Sequence, residues 1–219
     1  MLDTYRAVLF DLDGTLLNTL KDIADSVNAV LARSGFPQHP VNAYRYFVGD
    51  GMENLARRVL PPDRRDPETV ARTRAAIDVE YTQHEADTTR PYPGVPELLS
   101  ALTRRGVKMA VLSNTPDHSV QSTVTALLGD WRFDVVLGAR PSVPIKPDPS
   151  GALEIAARLS IPPAQFLYLG DTGTDMKTAV AAGMYPVGAL WGFRTADELL
   201  AAGAKTLVRY PADLLKLLD

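Results

Sequence analysis

The chain has 219 residues, 46% of them hydrophobic, and 23 basic against 26 acidic residues give a formal net charge of −3. This composition supports a sizeable buried core, and the length fits one large domain or a core with a smaller inserted domain. Because the charge is mildly acidic and the basic residues are scattered, nucleic acid is excluded as the main partner. The chain has no cysteine, which excludes thiol catalysis, disulfides and thiolate metal sites.

Other features of the composition limit metal chemistry and location. The three histidines, His39, His84 and His118, do not have the spacing of zinc ligands. No segment approaches the roughly 20 apolar residues of a membrane helix, and the N-terminal residues do not predict a secretory signal. We therefore expect a cytoplasmic protein with no membrane partner, and both monomer and homodimer stay open.

The first predicted element is a buried parallel strand at residues 7–10, a short apolar run that ends at an acidic motif. Only helical patterns follow for about seventy residues, at 19–34, 41–47, 52–60 and 67–84. Glycines and prolines separate these helices, among them the GDG sequence at 49–51. We interpret residues 16–88 as an all-helical cap inserted into a core formed by residues 1–15 and 89–219.

Strand and helix patterns alternate through the rest of the chain. Apolar runs at 107–112, 133–137, 166–169 and 185–190 predict strands, and residues 95–105, 119–128, 150–159 and 175–182 predict helices. This alternation predicts an α/β fold with a parallel sheet and right-handed crossovers. Ligands of such sheets bind at the C-terminal ends of the strands, from which the inserted helices also depart.

The sharpest chemical motif is DLDGT at residues 11–15, directly after the first strand. Asp11 and Asp13 lie one residue apart and point to the same side. One carboxylate can attack phosphorus to form an acyl phosphate, and the other can protonate the leaving alkoxide and then activate water. The alternative is an Asp-Gly turn with a capping aspartate.

A second acidic motif, GDTGTD at residues 170–175, follows the predicted strand 166–169. Asp171 and Asp175 would bring the number of converging carboxylates to four, and such a group needs a cation. Hard carboxylate oxygens suit Mg²⁺. In the alternative interpretation this is a loop in which Asp175 caps the next helix, and Asp175 can do both.

Two further segments carry candidate phosphate contacts. Lys146, in the KPDP sequence at 146–149, can pair with a phosphoryl group and with the nucleophile. Ser113 and Asn114 end the predicted strand 107–112 and can hold phosphate oxygens. Taken singly, a Lys-Pro pair is more often a surface turn, and a Ser-Asn pair a routine strand end.

Together these motifs resemble the haloacid dehalogenase-like phosphohydrolase superfamily, whose four motifs are present in order as DLDGT, LSNT, KPDP and GDTGTDM. The resemblance implies a Rossmann-like parallel sheet with helices on both faces and a helical cap. It implies Asp11 as nucleophile, Asp13 as acid and base, and Ser113 and Lys146 as phosphate contacts. It also implies Mg²⁺ bound by Asp11, the Asp13 carbonyl and Asp171, with Asp175 supporting the metal's water shell.

Within the superfamily the chain is most similar to phosphoglycolate phosphatases, through FVGDG at 47–51 and PYPGV at 91–95. Such enzymes often carry Lys after the Asn of the second motif, where this chain has Thr115. The resemblance implies a Mg²⁺-dependent phosphomonoesterase acting on a small phosphorylated metabolite, with 2-phosphoglycolate the expected substrate. The alternatives are a sugar-phosphate mutase similar to beta-phosphoglucomutase and a haloacid dehalogenase, although the latter lacks a counterpart of Asp13.

The cap is expected to select the substrate. Backbone N–H groups at Gly49 and Gly51 can approach a ligand closely because no Cβ intervenes. Arg45, Arg57 and Arg58 lie on the flanking helices and could bind the carboxylate of a substrate. In the alternative, the two glycines only interrupt the helices and the arginines face solvent.

Overall fold

The structure, a computed structural model, describes residues 5–218, so the predicted outer limits of the core, residues 1 and 219, lie outside the described residues. The strands are β1 (Ala7–Phe10), β2 (Leu17–Asn18), β3 (Arg90–Pro91), β4 (Lys108–Pro116), β5 (Val135–Ala139), β6 (Phe166–Gly170), β7 (Tyr185–Ala189) and β8 (Thr206–Val208). The helices are α1 (Leu20–Arg33), α2 (Tyr44–Phe47), α3 (Met52–Val59), α4 (Pro67–His84), α5 (Val95–Arg104), α6 (Asp117–Leu128), α7 (Ser150–Leu159), α8 (Gly173–Ala182) and α9 (Ala196–Ala201). Short 3-10 helices lie at Val41–Ala43, Pro62–Arg64, Pro163–Gln165 and Pro211–Leu217.

Six strands form one parallel sheet in the order β5-β4-β1-β6-β7-β8. Alternate residues of β1 point to opposite faces, and all four are fully buried. Val8 and Phe10 pack in a cluster with residues of α5 and α6, whereas Ala7 and Leu9 pack in another with residues of α7 and α8. Helices therefore cover both faces, and the predicted α/β fold class is confirmed.

Helices α1 to α4, which we call the helical segment, come between β1 and the rest of the sheet in the chain. Apolar residues of α1 recur three and four positions apart, and this stripe is buried against the other three helices. Their shared cluster includes Val27, Tyr44, Leu55 and Ile77, and Phe193 from the loop after β7 packs into it. The segment thus has an apolar core of its own, separate from the two clusters on the sheet.

The structure corrects several details of the sequence interpretation. The segment after β1 is not purely helical, because β2 pairs antiparallel with β3 where the chain leaves and re-enters the sheet region. Strand β4 continues to Pro116, past the predicted end at residue 112, so that Ser113 and Asn114 lie within it. Helix α9 and strand β8 were not predicted. Among the described residues, no helix has both the length and the apolar character that a membrane span requires.

Candidate active site

The predicted site residues meet at the C-terminal edge of three neighbouring strands. Asp11 follows β1, Asp171 follows β6, and Ser113 lies near the end of β4. The turn after β1 needs a glycine at position 14, where φ is +96° and a Cβ atom would overlap the Asp171 carboxylate. This turn brings the DLDGT motif directly against the GDTGTD motif.

Three buried carboxylates form the centre of the site. Asp11, Asp171 and Asp175 each offer an oxygen within 4.8 Å of the others. The Lys146 Nζ atom lies 2.7 Å from both Asp11 Oδ1 and Asp175 Oδ1, and it also donates to the Leu112 carbonyl at 3.0 Å. Lys146 is itself only 4% exposed, so its ion pairs are protected from water. One ammonium group therefore opposes three carboxylates, which leaves the centre short of positive charge.

Neighbouring donors hold the carboxylates in place. The Thr15 hydroxyl lies 3.2 Å from Asp11 Oδ2 and 3.0 Å from Asp171 Oδ1, and it can donate its single hydrogen to one of them at a time. The Phe193 backbone N–H donates to Asp171 Oδ2 at 2.6 Å. The indole of Trp191 donates to the Thr15 carbonyl at 2.9 Å, which ties the loop after β7 to the DLDGT turn.

Burial and the unbalanced charge together shift the pKa values of these groups. Burial, together with the charge of Asp175, raises the pKa of Asp171 to about 7. Burial and the charges of Asp175 and Asp171 also hold the pKa of Asp11 well above its usual range, although Lys146 acts against them. For Lys146, burial lowers the pKa, but the charges of Asp11 and Asp175 outweigh it and hold that pKa well above its usual range. Lys146 therefore stays charged, and the carboxylates need a further cation to be fully ionised together.

Asp175 takes part in a helix cap as well as in the acidic centre. It lies at the third position of α8, and its Oδ2 accepts from the Thr172 backbone N–H at 3.1 Å and from the Thr172 hydroxyl at 2.6 Å. Its backbone N–H is bound in turn by the Thr172 side chain, which completes a capping box. Asp175 thus caps α8, as the alternative interpretation predicted, while its Oδ1 accepts from Lys146 in the acidic centre.

Asp13 lies apart from the acidic centre. Its Oδ2 accepts from the Ser113 hydroxyl at 2.9 Å and from the Thr115 hydroxyl at 2.8 Å. The Thr115 backbone N–H donates to Ser113 Oγ at 3.0 Å. Thr115, the residue that departs from the pattern of similar enzymes, thus orients the second carboxylate of the DLDGT motif.

Asn114 joins the helical segment to the sheet. Its amide nitrogen donates to the Gly49 carbonyl and to the Lys146 carbonyl, both at 3.0 Å, and its oxygen accepts from the Lys146 backbone N–H at 2.9 Å. Asn114 was predicted to bind substrate, and it does line the cavity described next. Its amide nevertheless already binds protein atoms at both ends, which fixes the backbone of Lys146.

A cavity of about 50 Å³ lies between the acidic centre and the helical segment. Asp11, Asp13, Ser113, Lys146 and Asp175 line it on the sheet side. Gly49 and Gly51 line it between α2 and α3, and apolar side chains of the helical segment complete the wall. The structure thus brings all predicted site residues to this cavity except Asp171, which lies behind it in the acidic centre.

The arginines expected to bind a substrate carboxylate do not line this cavity. Arg45 donates to the Gly192 carbonyl at 2.9 Å. Arg58 pairs with Asp50, and Arg57 lies 3.2 Å from Glu53 on the exposed side of α3. That expectation is wrong because each arginine contacts a protein group that does not line the cavity. The helical pattern alone could not show these partners.

Sequence reasoning also missed functional neighbours. Thr15 and Thr172 stand inside the recognised motifs, and the Thr-x-x-Asp spacing at 172–175 is a capping signal that could have identified the second. Trp191, Phe193 and Tyr81 reach the site from distant parts of the chain. No local sequence signal marks these three, since only the fold brings them to the strand ends.

Comparison with known proteins agrees with this geometry. Residues 8–189 match the family model described as haloacid dehalogenase-like hydrolase. The chain is 31% identical to a phosphoglycolate phosphatase of Mannheimia succiniciproducens, over 97% of this chain and 98% of that protein. It is 34% identical to a phosphoglycolate phosphatase of Aquifex aeolicus, over 98% of this chain and 97% of that protein.

Solved structures agree with the fold as well. A predicted phosphoglycolate phosphatase from Haemophilus somnus superposes with a TM-score of 0.88 at 29% identity, over 99% of each chain. The CbbY protein of Rhodobacter sphaeroides, solved in complex with phosphate, superposes with a TM-score of 0.81 at 25% identity, over 98% of this chain and 99% of that one. The chain therefore belongs to the haloacid dehalogenase-like hydrolase family, among its phosphoglycolate phosphatase-like phosphatases.

Proposed function

We propose that this phosphatase hydrolyses a small phosphate monoester through a phospho-aspartate on Asp11, with Mg²⁺ as cofactor. The observation that carries the proposal is the buried Asp11 carboxylate, paired with Lys146 beside a small cavity that Asp13 also lines. A nucleophile, a charge partner for phosphate and a separate acid are the groups that a two-step displacement requires.

The donor set fits Mg²⁺. Asp11, Asp171 and Asp175 supply hard oxygen ligands within 4.8 Å of one another. Burial, together with neighbouring negative charge that Lys146 alone does not balance, raises the pKa values of Asp11 and Asp171. Asp11 and Asp171 would hold the ion, together with the Asp13 carbonyl, and Asp175 would support its water shell. When bound, the ion supplies positive charge that polarises the phosphoryl group and lets these carboxylates ionise together.

Each protein residue then has a defined task. The Asp11 carboxylate attacks phosphorus while Lys146 and the Ser113 hydroxyl hold the phosphoryl oxygens. Asp13 protonates the departing alkoxide oxygen. It afterwards takes a proton from the water that hydrolyses the phospho-aspartate, so that the enzyme returns to its starting state. Thr115 orients Asp13 for both transfers.

We also propose that residues 16–88 act as a cap over a core of residues 1–15 and 89–219. Contacts across this division support the proposal, since the Asn114 amide donates to the Gly49 carbonyl and Thr174 donates to Asp50 at 2.5 Å. In this arrangement Gly49 and Gly51 approach the substrate. The names of the relatives support 2-phosphoglycolate as the first substrate to test.

The proposal is tested by hydrolysis of p-nitrophenyl phosphate and of 2-phosphoglycolate by the purified protein. Activity should disappear with EDTA and return with excess Mg²⁺, whereas Ca²⁺ should inhibit because its larger, looser coordination shell does not hold an in-line geometry. Full activity in the chelator would favour a metal-independent dehalogenase-type reaction. If neither ester releases phosphate in the presence of Mg²⁺, the proposal is rejected.

A further inference from the structure

The side chains that the helical segment contributes to the cavity wall are almost all apolar. Seven of its side chains line the cavity, all but one of them wholly apolar: Ile23, Val27, Val48, Met52, Leu55, Ile77 and Tyr81. The cation among the lining residues is Lys146, which lies on the sheet side between Asp11 and Asp175. A leaving group that points toward the helical segment therefore meets no positive side chain.

Tyr81 supplies the one polar side-chain atom of this wall. It lies on α4 one turn after Ile77, and its residue is 5% exposed. Among the residues that the structure describes, none bonds to its hydroxyl, although the other polar groups around the cavity are paired. Because Tyr81 lines the cavity and Asp13, another lining residue, is the charge that acts most strongly on its hydroxyl, this unpartnered group is positioned to bind something that enters the cavity.

This hydroxyl is suited to donate. Burial, together with the negative charge of Asp13, holds the pKa of Tyr81 well above its usual range, so the group stays protonated. A neutral donor in an apolar wall favours a leaving group that carries an acceptor oxygen. A leaving group with a full negative charge would find no counter-ion in this wall. Burying such a charge beside apolar side chains is costly unless a cation compensates it.

We infer that Tyr81 determines the specificity of the enzyme by donating a hydrogen bond to an acceptor oxygen of the leaving group. The apolar wall around it selects short leaving groups by shape rather than by negative charge. The preferred substrates are thus phosphate esters of short alcohols that carry one carbonyl or hydroxyl oxygen near the ester. This inference rests on the proposed phosphatase function and refines its substrate class.

Three esters of similar shape test the inference. They are 2-phosphoglycolate, hydroxyacetone phosphate, in which a methyl group replaces one carboxylate oxygen, and isobutyl phosphate, which has no acceptor. The wild-type enzyme should hydrolyse hydroxyacetone phosphate with a kcat/KM at least equal to that for 2-phosphoglycolate. Tyr81→Phe should lower the ratio of kcat/KM for hydroxyacetone phosphate to that for isobutyl phosphate about tenfold, the usual effect of one lost hydrogen bond.

The matched control is Tyr46→Phe, because Tyr46 is 60% exposed and lies outside the cavity. It should leave the ratio unchanged. An unchanged ratio in Tyr81→Phe would overturn the role of the hydroxyl, and a wild-type preference of more than tenfold for 2-phosphoglycolate would overturn selection without charge. Failure to hydrolyse any of the esters in Mg²⁺ would instead reject the proposed function itself.

A second variant keeps the inference testable if Tyr81→Phe does not fold. Met52 lies at the start of α3, half-buried, and lines the cavity. Met52→Lys adds the cation that the wall lacks, and it should raise the preference for 2-phosphoglycolate over hydroxyacetone phosphate about tenfold. No change in this preference would mean that the wall already compensates a carboxylate, which contradicts the inference.

Discussion

At the residue scale, Lys146 dominates the electrostatics of the site. It pairs with Asp11 and Asp175 at the same time, and it is held in position because Asn114 binds both its backbone N–H and its carbonyl. A buried ammonium shared by two carboxylates keeps its charge when one of them is neutralised. Substitution of Asp11 is therefore a cleaner experiment than substitution of Lys146, which would leave buried carboxylates without their cation.

The first prediction concerns the nucleophile. Asp11→Asn should lower kcat for p-nitrophenyl phosphate in Mg²⁺ by about a thousandfold or more, because an amide does not attack phosphorus as a carboxylate does. The melting temperature should not fall, since the amide keeps the shape of the side chain and removes one of three mutually repelling charges. Asp130→Asn, an exposed residue in the turn after α6, is the control and should retain full activity. Substantial residual turnover would contradict covalent catalysis at Asp11.

The second prediction concerns the proton. Asp13→Ala should slow the phosphorylation step more with 2-phosphoglycolate than with p-nitrophenyl phosphate, since an alkoxide needs a proton to leave and p-nitrophenolate does not. Single-turnover measurements of alcohol and phenolate release distinguish the two. Equal losses on both esters would remove the general-acid role and leave only the effect of losing the partner of Ser113 and Thr115.

Single residues were predictable from the sequence where a motif marked them, and not otherwise. Asp11 and Asp171 follow apolar strands, so the alternation of elements already placed them at one sheet edge. The partners of Arg45 and Arg58 depend on distances across the fold, and the helical pattern around them carries no such information. Tyr81, which lies at one of the buried positions of α4, was not singled out from the sequence.

At the scale of elements, length decided what could be predicted. The long helices α1 and α4 repeat their apolar spacing several times, and the structure bears out both to within about one residue at each end. Strands β2 and β3 have two residues each, too few to show alternation, and they arise because the two chain crossings lie side by side. Helix α9, with six residues, and β8, with three, were missed for the same reason.

The third prediction concerns the loop between α2 and α3. Gly51 has a φ of +85°, and a Cβ atom there would lie 2.8 Å from Cδ1 of Ile145, the residue before Lys146. Gly51→Val should therefore displace the loop and raise KM for 2-phosphoglycolate about tenfold or more, while metal affinity stays the same because the acidic centre lies on the sheet side.

Gly35→Val is the matched control for this loop. Gly35 also has a positive φ, +72°, but no atom lies within 4 Å of the position its Cβ would take. Both variants should lose stability through backbone strain, and only Gly51→Val should change KM. A similar KM in the two variants would show that the loop does not contact the substrate.

At the scale of the whole molecule, the fourth prediction is an unusual pH dependence of stability. The pKa of Asp171 is 3.8 in its ordinary state and about 7 in the metal-free fold, so the folded protein binds a proton that the unfolded chain has released between these values. The free energy of unfolding in EDTA should therefore fall as pH rises through this window, by up to about 1.4 kcal/mol per pH unit for this group. The raised pKa of Asp11 should contribute to this slope in the same direction.

Mg²⁺ should reverse this trend because it binds the deprotonated carboxylates. Melting temperatures measured in EDTA and in excess MgCl₂ between about pH 5 and about pH 8 test this, and the increment due to Mg²⁺ should grow with pH. Asp171→Asn should flatten the slope in EDTA. A melting temperature that rises with pH in EDTA, or that ignores Mg²⁺ at the alkaline end, would contradict the prediction.

The bond between the Trp191 indole and the Thr15 carbonyl has an optical consequence. The chain has two tryptophans, and the other, Trp131, donates to Ser100 Oγ beside α5, away from the acidic centre. Replacing Trp131 by phenylalanine would leave a single tryptophan, hydrogen-bonded to the turn that follows the nucleophile and excited selectively over the tyrosines at long wavelength. Its emission would then follow rearrangement of that turn in real time, so that cation loading and phosphorylation could be timed in a stopped-flow instrument without any attached label.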